Sequence, residues 1–471
     1  MKNLSCQYDY EPISRIAREI ALEAFSRLPH NDPRLARRLI KSATRLFQSP
    51  GKPFSKAFSQ KAERQAAYRL IENDSLAPDQ IVRSIQGSLV NRVSNEKPAT
   101  IFVVQDSSTI SKSRFEKVEG LGPIGKASSR GFFYHAALAL DISGTPIGLA
   151  AIDFWKRDQP TAGSREKWKH LPIEEKESYR WLKTMKDVAT LIPRPTRLIF
   201  LSDRESDIHE YFETATELDV DFVVRHSHNR RVEGEGKYVR EELADSPILG
   251  HYELEVPQVN RRQKRKIQVS VQAVELTFKL QAGGLKIHRN RQPVRLWGLR
   301  VLEVSSNHQE KPMEWILYTS LPVETVEDAI ECVRMYTCRW RIEEFNMVLK
   351  TGMTIEQNHF REAENIQRLL TIAIPMAVKL LEILYRSREN PSQDVAEVFS
   401  SAEIKGIKVM AKRQGVRIPP RITMKWATER IAFHGGWMGR KGDGRPGVRT
   451  LWDGLRDLNL MAEMIEAMGY A

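Results

Sequence analysis

Two short apolar segments that each end in an aspartate constrain the fold of this 471-residue chain most strongly. The first, ATIFVVQD, ends at Asp106, and the second, TRLIFLSD, ends at Asp203 and runs into the helical pattern RESDIHEYFETATEL. Such runs predict strands, and ligand-binding groups collect at strand ends because rigid backbone fixes their positions. Taken singly, each acid has a plainer interpretation: Asp203 could cap the following helix, and Asp106 could begin a turn, DSST.

The hydrophobic pattern changes twice along the chain. Helical spacing dominates to about residue 80, strands alternate with helices from about residue 98, and helical spacing returns from residue 324 to the end. Several strand-like runs crowd the segment from about 225 to 320, and GFFYHAALALD and TPIGLAAIDFW predict two strands joined through ISGTP. The sequence therefore predicts an α/β protein with helical regions at both ends.

The charge of the chain favours a polyanionic partner. Lys and Arg number 73 against 60 acids, a net charge of +13, and a basic helix, RLARRLIKSATRLF, carries Arg34, Arg37, Arg38, Lys41 and Arg45. Further basic segments are NRRQKRK at 260–266 and GRKGDGRPGVR at 439–449. This helix suits DNA, although a solvated face on a small helical cap explains it equally simply. Because the sequence contains neither a signal peptide nor a membrane span, we expect a cytoplasmic protein.

The segment YTCRWRIEEFNMVLK at 336–350 adds a third acid. As one continuous helix at about 100° per residue, it places four polar side chains within roughly 60° of one another: Tyr336, Arg339, Glu343 and Lys350. Met335, Ile342, Phe345, Val348 and Leu349 lie on a neighbouring arc that can pack on a core. Glu344 points elsewhere and is expected to serve only solubility, and a simple ion pair between Arg339 and Glu343 is the plainer alternative.

Three carboxylates from separate parts of the chain suit a hard divalent cation. Asp106, Asp203 and Glu343 come without a histidine or cysteine ligand set, which favours Mg²⁺ or Mn²⁺. A pair of such ions would activate a water or a 3′-hydroxyl for phosphoryl transfer, and arginine and lysine nearby would bind phosphates. The sequence thus predicts chemistry on nucleic-acid strands.

The spacing of Tyr336, Arg339, Glu343 and Lys350 resembles the signature of the insertion-sequence-four (IS-four) family of DDE transposases. The similarity is strongest to its transposon-five (Tn-five) branch, and it extends over nearly the whole chain through these segments: DPRLARRL, QDSSTIS, SRGFF, SDRESDIHEYF, EWILYTSLPVE and WATERIAFHGGWM. The first 30 residues are dissimilar, and Leu35 stands where relatives have an arginine, which bears on end-sequence preference.

The resemblance implies a ribonuclease H-like catalytic core with a β-strand insertion. It implies an end-binding domain at 1–80 that includes Arg34 and Arg38, a catalytic domain at 81–375 with the insertion at about 225–320, and a dimerisation domain at 376–471. It assigns Asp106, Asp203 and Glu343 as ligands of two Mg²⁺ ions, for which Mn²⁺ can substitute. It assigns Tyr336, Arg339 and Lys350 as DNA contacts.

The resemblance also implies a reaction and its partners. A cut-and-paste transposase nicks the transposon ends, forms and reopens a DNA hairpin, and joins the 3′ ends to target DNA as a homodimer on the bacterial nucleoid. Trp315 occupies the position of an indole that stacks on a flipped base, although a core tryptophan is the simpler interpretation. No nucleotide-binding motif is present, which suits isoenergetic strand exchange. A two-metal nuclease and a DNA-binding repressor are the competing functions.

Overall fold

A computed structural model describes residues 15–49, 51–112, 117–125, 129–158, 171–233, 237–256, 265–278, 293–304, 312–440 and 442–469. Its helices are α1 (Arg15–Phe25), α2 (Pro33–Gln48), α3 (Lys61–Ile71), α4 (Pro78–Glu96), α5 (Tyr179–Leu191), α6 (His209–Leu218), α7 (Val239–Asp245), α8 (Val326–Thr337), α9 (Trp340–Met347), α10 (Ala363–Glu389), α11 (Ser401–Arg413), α12 (Met424–His434) and α13 (Val448–Ala467). Its strands are β1 (Thr100–Lys112), β2 (Gly122–Pro123), β3 (Arg130–Leu140), β4 (Pro146–Trp155), β5 (Arg197–Ser202), β6 (Asp221–Arg225), β7 (Ile248–Val256), β8 (Arg265–Thr277), β9 (Arg295–Glu303) and β10 (Glu314–Thr319).

The N-terminal region is helical, as its hydrophobic pattern predicts. Asp32 caps α2 by accepting a 2.8 Å hydrogen bond from the backbone N–H of Arg34, and Pro33 occupies the first turn, where a missing N–H costs nothing. Leu35, Leu39 and Phe47 are buried on one side of this helix, whereas Arg34, Arg37 and Arg38 are exposed. The helix α4 runs across the domain boundary expected at residue 80 and packs on β4.

The centre of the molecule is one ten-stranded sheet. Its strand order is β2-β3-β1-β5-β6-β10-β9-β8-β7, and β4 pairs with β3. The strands β1, β5 and β6 are parallel, whereas β3, β4 and β10 to β7 add antiparallel strands on either side. The strand-rich segment predicted at about 225–320 therefore extends the central sheet through β10.

Side chains alternate between two cores on the faces of this sheet. Phe102 and Val104 lie in one core together with residues of α8, α9 and α10. Ile101 and Val103 lie in the other core together with residues of α5 and α6. Because successive side chains of a strand point to opposite faces, the same alternation decides which face each polar residue reaches at the strand ends.

The C-terminal region is helical and is built around α10. Most side chains of this 27-residue helix are buried, despite Pro375 in its interior. The helices α11, α12 and α13 pack on one another beside it. Among the described residues, none of the helices combines the length and the apolar character needed to span a bilayer.

Candidate active site

The register of two parallel strands places Asp106 opposite Asp203. Val104 of β1 pairs with Leu201 of β5 in the last pair of this ladder, and each aspartate lies two residues beyond that pair on its own chain segment. Each acid lies two residues beyond a side chain of the core that contains α8 to α10, so both carboxylates belong to that face of the sheet. We call it the acid face, defined by Asp106 and Asp203.

The local structure around each aspartate differs from the predictions in one respect. Asp106 does not end its strand: β1 continues to Lys112, and Asp106 pairs with Ala136 of β3, so DSST is not a turn. The strand continues because β3 supplies backbone partners beyond the point where the β5 pairing ends. Asp203 does follow its strand directly, and its carboxylate accepts a 2.8 Å hydrogen bond from the backbone N–H of Glu205.

The predicted continuous helix at 336–350 is wrong. The helix α8 ends at Thr337, α9 begins at Trp340, and residues 348–352 form a π-helical turn. At the first joint the backbone N–H of Arg339 bonds to the carbonyl of Tyr336, an i to i−3 bond that tightens the chain, and at the second an i to i−5 bond widens it. A uniform rotation per residue therefore does not hold across this segment.

The predicted apolar arc nevertheless packs as expected, and the polar residues reach the acid face. Met335, Ile342, Phe345, Val348 and Leu349 are all buried. Polar bonds fix α9 above the sheet, since the Tyr134 hydroxyl on β3 donates a 2.9 Å bond to the Asn346 amide oxygen. Glu344 accepts a hydrogen bond from the Tyr385 hydroxyl of α10. The expectation that Glu344 serves only solubility is therefore wrong, because it connects α9 to α10.

At the start of α9, the positive charge of Arg339 lies close to the carboxylates of Glu343 and the two aspartates. Arg339 donates a 2.6 Å hydrogen bond to Glu343, and burial raises the pKa of Asp106 to about 7, with the charges of Asp203 and Glu343 adding to that rise. The charge of Arg339 opposes it. The negative charges of Asp203 and Glu343 therefore both act on Asp106.

An aromatic and arginine group lies beside the acids on the same face. Trp315 of β10 contacts Tyr336 edge to face, with ring centroids 5.7 Å apart, and the Arg225 guanidinium lies 5.4 Å from the Trp315 ring. Tyr336 is buried, whereas Trp315 and Arg225 are half-buried. Sequence reasoning missed Arg225, although it ends a buried strand, β6, with the same spacing from the core as the two aspartates.

The predicted cations divide into two groups according to their surroundings. Lys350 is half-buried, and burial lowers its pKa while the charges of Glu356 and Asp106 oppose that change. Arg34 and Arg38 on α2 are exposed, and Lys41 on the same helix forms a 2.8 Å ion pair with Glu63 of α3. The basic segment at 260–266 lies outside the described residues except for Arg265 and Lys266, which belong to β8.

The donor chemistry of the acid face fits a divalent cation. Asp106, Asp203 and Glu343 are oxygen donors, and the charges of the last two act on the first. Carboxylate oxygens are the ligand chemistry that Mg²⁺ and Mn²⁺ prefer. Across the part of the chain that the structure describes, no three acidic, histidine or cysteine side chains are placed to bind an ion as they stand. In this arrangement Arg339 is bonded to one carboxylate oxygen of Glu343, Oε1.

Three family descriptions match the chain in order. Residues 18–76 match a Transposase DNA-binding family, residues 182–377 match a Transposase DDE domain, and residues 375–471 match a Transposase Tn5 dimerisation domain. The DDE match includes Asp203 and Glu343 and begins after Asp106. Together with the mixed sheet, it confirms the predicted fold class, a ribonuclease H-like α/β core between helical regions.

Proposed function

We propose a complete cut-and-paste reaction for this chain, which belongs to the Tn5-like DDE transposases. The family makes it a DNA-binding, dimer-forming enzyme that cleaves and transfers DNA strands with a divalent metal. In our proposal, water first cuts one strand at the transposon end. The freed 3′-hydroxyl attacks a phosphodiester of the opposite strand to form a hairpin and displaces the 3′-hydroxyl of the flanking DNA. Water hydrolyses the hairpin phosphodiester and releases the transposon 3′-hydroxyl again. That 3′-hydroxyl then attacks a target phosphodiester and displaces a target 3′-hydroxyl.

The observation that carries this proposal is the position of three carboxylates on the acid face. Asp106 and Asp203 come from neighbouring strands, and Glu343 comes from the helix that covers them. We propose that these residues hold two Mg²⁺ ions, which supply an activated oxygen nucleophile and stabilise the leaving oxygen. The raised pKa of Asp106, due to burial and then to Asp203, supports this because a bound cation relieves the repulsion between the acids.

The chain's own cations and rings would hold the strand end. Arg339 and Lys350 are half-buried beside the acids, where a guanidinium and an ammonium bind phosphate oxygens more strongly than in open water. Arg225 offers a third cation on the same face. Trp315 and Tyr336 form an edge-to-face pair whose accessible indole can stack on an unpaired base in the hairpin step.

End recognition belongs to the N-terminal helices in this proposal. Arg34 and Arg38 lie on the exposed side of α2, within the matched DNA-binding region, and can reach DNA backbone without moving the core. The dimerisation region at 375–471 would bring two transposon ends together. An enzyme with these DNA substrates would act at the bacterial nucleoid.

The test is a cleavage assay with purified protein, Mg²⁺ and linear DNA that carries the inverted repeats flanking the gene. Hairpin-ended fragments followed by joining to a supercoiled target are expected. Open double-strand cuts without hairpins or joining would instead indicate a two-metal nuclease, and a shifted but intact DNA band would indicate a repressor. Chelation of the metal should abolish cutting and leave the shifted band, which separates chemistry from binding.

A further inference from the structure

A buried chain of hydrogen bonds lies behind the two aspartates, on the opposite face of the sheet. The Ser107 hydroxyl and His135 Nδ1 are 2.9 Å apart, and His135 Nε2 lies 3.1 Å from the Gln105 amide oxygen. The Gln105 amide nitrogen lies 3.2 Å from the Tyr211 hydroxyl and 3.4 Å from the Ser202 hydroxyl. The hydroxyls of Ser202 and Tyr211 are 3.0 Å apart. We call these five residues the rear network.

The donors and acceptors of the rear network can be assigned in one direction. The Gln105 amide nitrogen donates to Tyr211 and Ser202, so its oxygen accepts from His135 Nε2. Burial lowers the pKa of His135 to about 3, which keeps the ring neutral. A neutral imidazole that donates through Nε2 accepts through Nδ1, so the Ser107 hydroxyl donates to it. Each bond from Ser107 through His135 and Gln105 to the two hydroxyls therefore has one donor and one acceptor, and either hydroxyl of the Ser202–Tyr211 pair can donate to the other.

The rear network spans a gap in the backbone pairing. The β1–β5 ladder runs from Thr100 to Val104 on β1 and from Arg197 to Leu201 on β5, so it stops before both aspartates. The side chains that bridge the strand ends, Gln105 and Ser202, are the immediate neighbours of Asp106 and Asp203 in the sequence. Ser107, the next residue after Asp106, donates a 2.8 Å hydrogen bond from its backbone N–H to the Asp106 carboxylate.

Packing alone does not explain why polar side chains occupy this buried position. Gln105, His135, Ser202 and Tyr211 are each 0% exposed, and their neighbours on this face include Val103, Phe200 and Phe212 of an apolar core. Buried polar groups cost free energy unless every one is bonded, and apolar side chains would fill the same space without that cost. A network in which each of these side chains has a hydrogen-bond partner instead favours one geometry. None of these side chains lies on the acid face, so they cannot contact the reacting phosphate directly.

We infer that the rear network sets the separation of Asp106 and Asp203 and thereby tunes the affinity of the acid face for its divalent cation. The five residues are positioning residues, and this role rests on the proposed metal-dependent function. Side chains that orient metal ligands from behind typically change metal affinity or activity by about 10- to 100-fold when removed. Because the rear network acts through neighbours of the carboxylates, the lower end of this range applies.

The test uses Tyr211→Phe and Ser107→Ala in the full chain. Each deletes one hydroxyl and keeps most of the packing volume. The Mn²⁺ concentration for half-maximal first-strand nicking should rise about tenfold in both variants. The rise in unfolding temperature that Mn²⁺ produces without DNA should need a similarly higher Mn²⁺ concentration, because a ligand stabilises the fold according to its affinity. Binding to end DNA without metal should be unchanged.

Phe212→Leu is the matched control. Phe212 is as buried as Tyr211 and packs edge to face on its ring, with centroids 6.0 Å apart, but makes no hydrogen bond through its side chain. Its substitution therefore disturbs the packing around Tyr211 and leaves every hydrogen bond of the rear network in place. Its Mn²⁺ midpoint should match the wild type. Wild-type midpoints in both Tyr211→Phe and Ser107→Ala would overturn the positioning role alone. A wild-type protein that neither nicks nor responds to Mn²⁺ would overturn the proposed function, and the positioning role with it.

Discussion

The helix α2 and the acid face both carry cations, but the two regions hold them in opposite ways. Arg34 and Arg38 are exposed on a regular helix, and among the described residues no acid forms an ion pair with either. Arg339 is half-buried at the joint between α8 and α9 and is bonded to Glu343. Burial alone would lower its pKa, but Tyr336, Glu343 and Asp203 together raise it.

This difference suggests that the cations of α2 bind DNA, whereas those of the acid face take part in the reaction. Exposed cations attract DNA at long range, and salt weakens them because counterions compete for the same phosphates. Half-buried cations paired with acids are held in place before substrate arrives, so they act at one position with little reorganisation. We therefore expect losses on α2 to change affinity and its salt dependence, and losses on the acid face to change reaction steps.

The largest effect is expected for Asp203→Ala. Removal of one carboxylate from the acid face should lower cleavage by at least about a thousandfold, while α2 still binds end DNA with unchanged affinity. Cleavage of labelled end DNA and a gel-shift titration measure the two quantities. Asp187→Ala, a half-exposed acid on α5, is the control. Substantial cutting by Asp203→Ala would remove this residue from the metal site.

The next largest effect concerns the scaffold between the two regions. Glu382 of α10 accepts a 3.2 Å bond from Arg92 of α4 and pairs with Arg386 at 2.8 Å and Lys379 at 3.0 Å. Glu382→Gln leaves these cations without their shared anion, so the free energy of unfolding at pH 7 should fall by about 3 kcal/mol. Urea unfolding measures it, and Glu389→Gln, a more exposed acid of the same helix, is the control.

The same substitution predicts a pH dependence. Burial alone would raise the pKa of Glu382, but Lys379, Arg92 and Arg386 lower it from 4.5 to about 2. As the pH falls, Glu382 is protonated first in the unfolded state. The stabilisation by Glu382 is therefore complete above about pH 4.5 and is lost as the pH falls towards about 2. The stability difference between wild type and Glu382→Gln should therefore shrink below pH 4.5. A difference that is constant from pH 7 to 3 would contradict the assignment.

Trp315→Ala sharpens the comparison within the acid face. Loss of the indole should lower hairpin formation about tenfold or more, because stacking on a base contributes roughly 1–3 kcal/mol, and should leave the first nick within a factor of about 3. Quantified nicked and hairpin products from one time course decide this. Trp297→Ala on β9 removes another half-buried indole as a control. Equal loss of both steps with a lower unfolding temperature would support a core role for Trp315.

The smallest effect is expected on α2. The double substitution Arg34→Ala and Arg38→Ala should weaken end binding on the order of tenfold and should reduce the salt slope by about one for each lost phosphate contact. Affinities measured from low to moderate salt give both values. Lys41→Ala, whose ammonium already pairs with Glu63, should change the slope less. An unchanged slope in the double variant would place the DNA contact elsewhere.

Local sequence patterns predicted much of the fold and several features of the candidate site. The predicted apolar arc that includes Ile342 and Phe345 is buried. The apolar run within TRLIFLSD forms β5, and Asp203 follows the strand directly, as predicted. Two local predictions failed, because a joint in the chain at Cys338 interrupts the helix and because β3 extends β1 beyond Asp106. The first failure is a local change in hydrogen-bond spacing, and the second comes from a strand that is distant in sequence. A uniform periodicity along one segment includes neither.

By itself the sequence determined which side chains are available: three carboxylates without thiol or imidazole ligands, a basic amphipathic helix, and strands with a strict alternation of faces. Only the tertiary structure decided that Asp106 lies opposite Asp203, that Arg225 belongs to the same face, and that Glu344 bonds to Tyr385. It also revealed the rear network, whose members come from β1, β3, β5 and α6. The reason is physical: periodicity fixes the face that a residue occupies, whereas strand register and helix packing fix what stands opposite it.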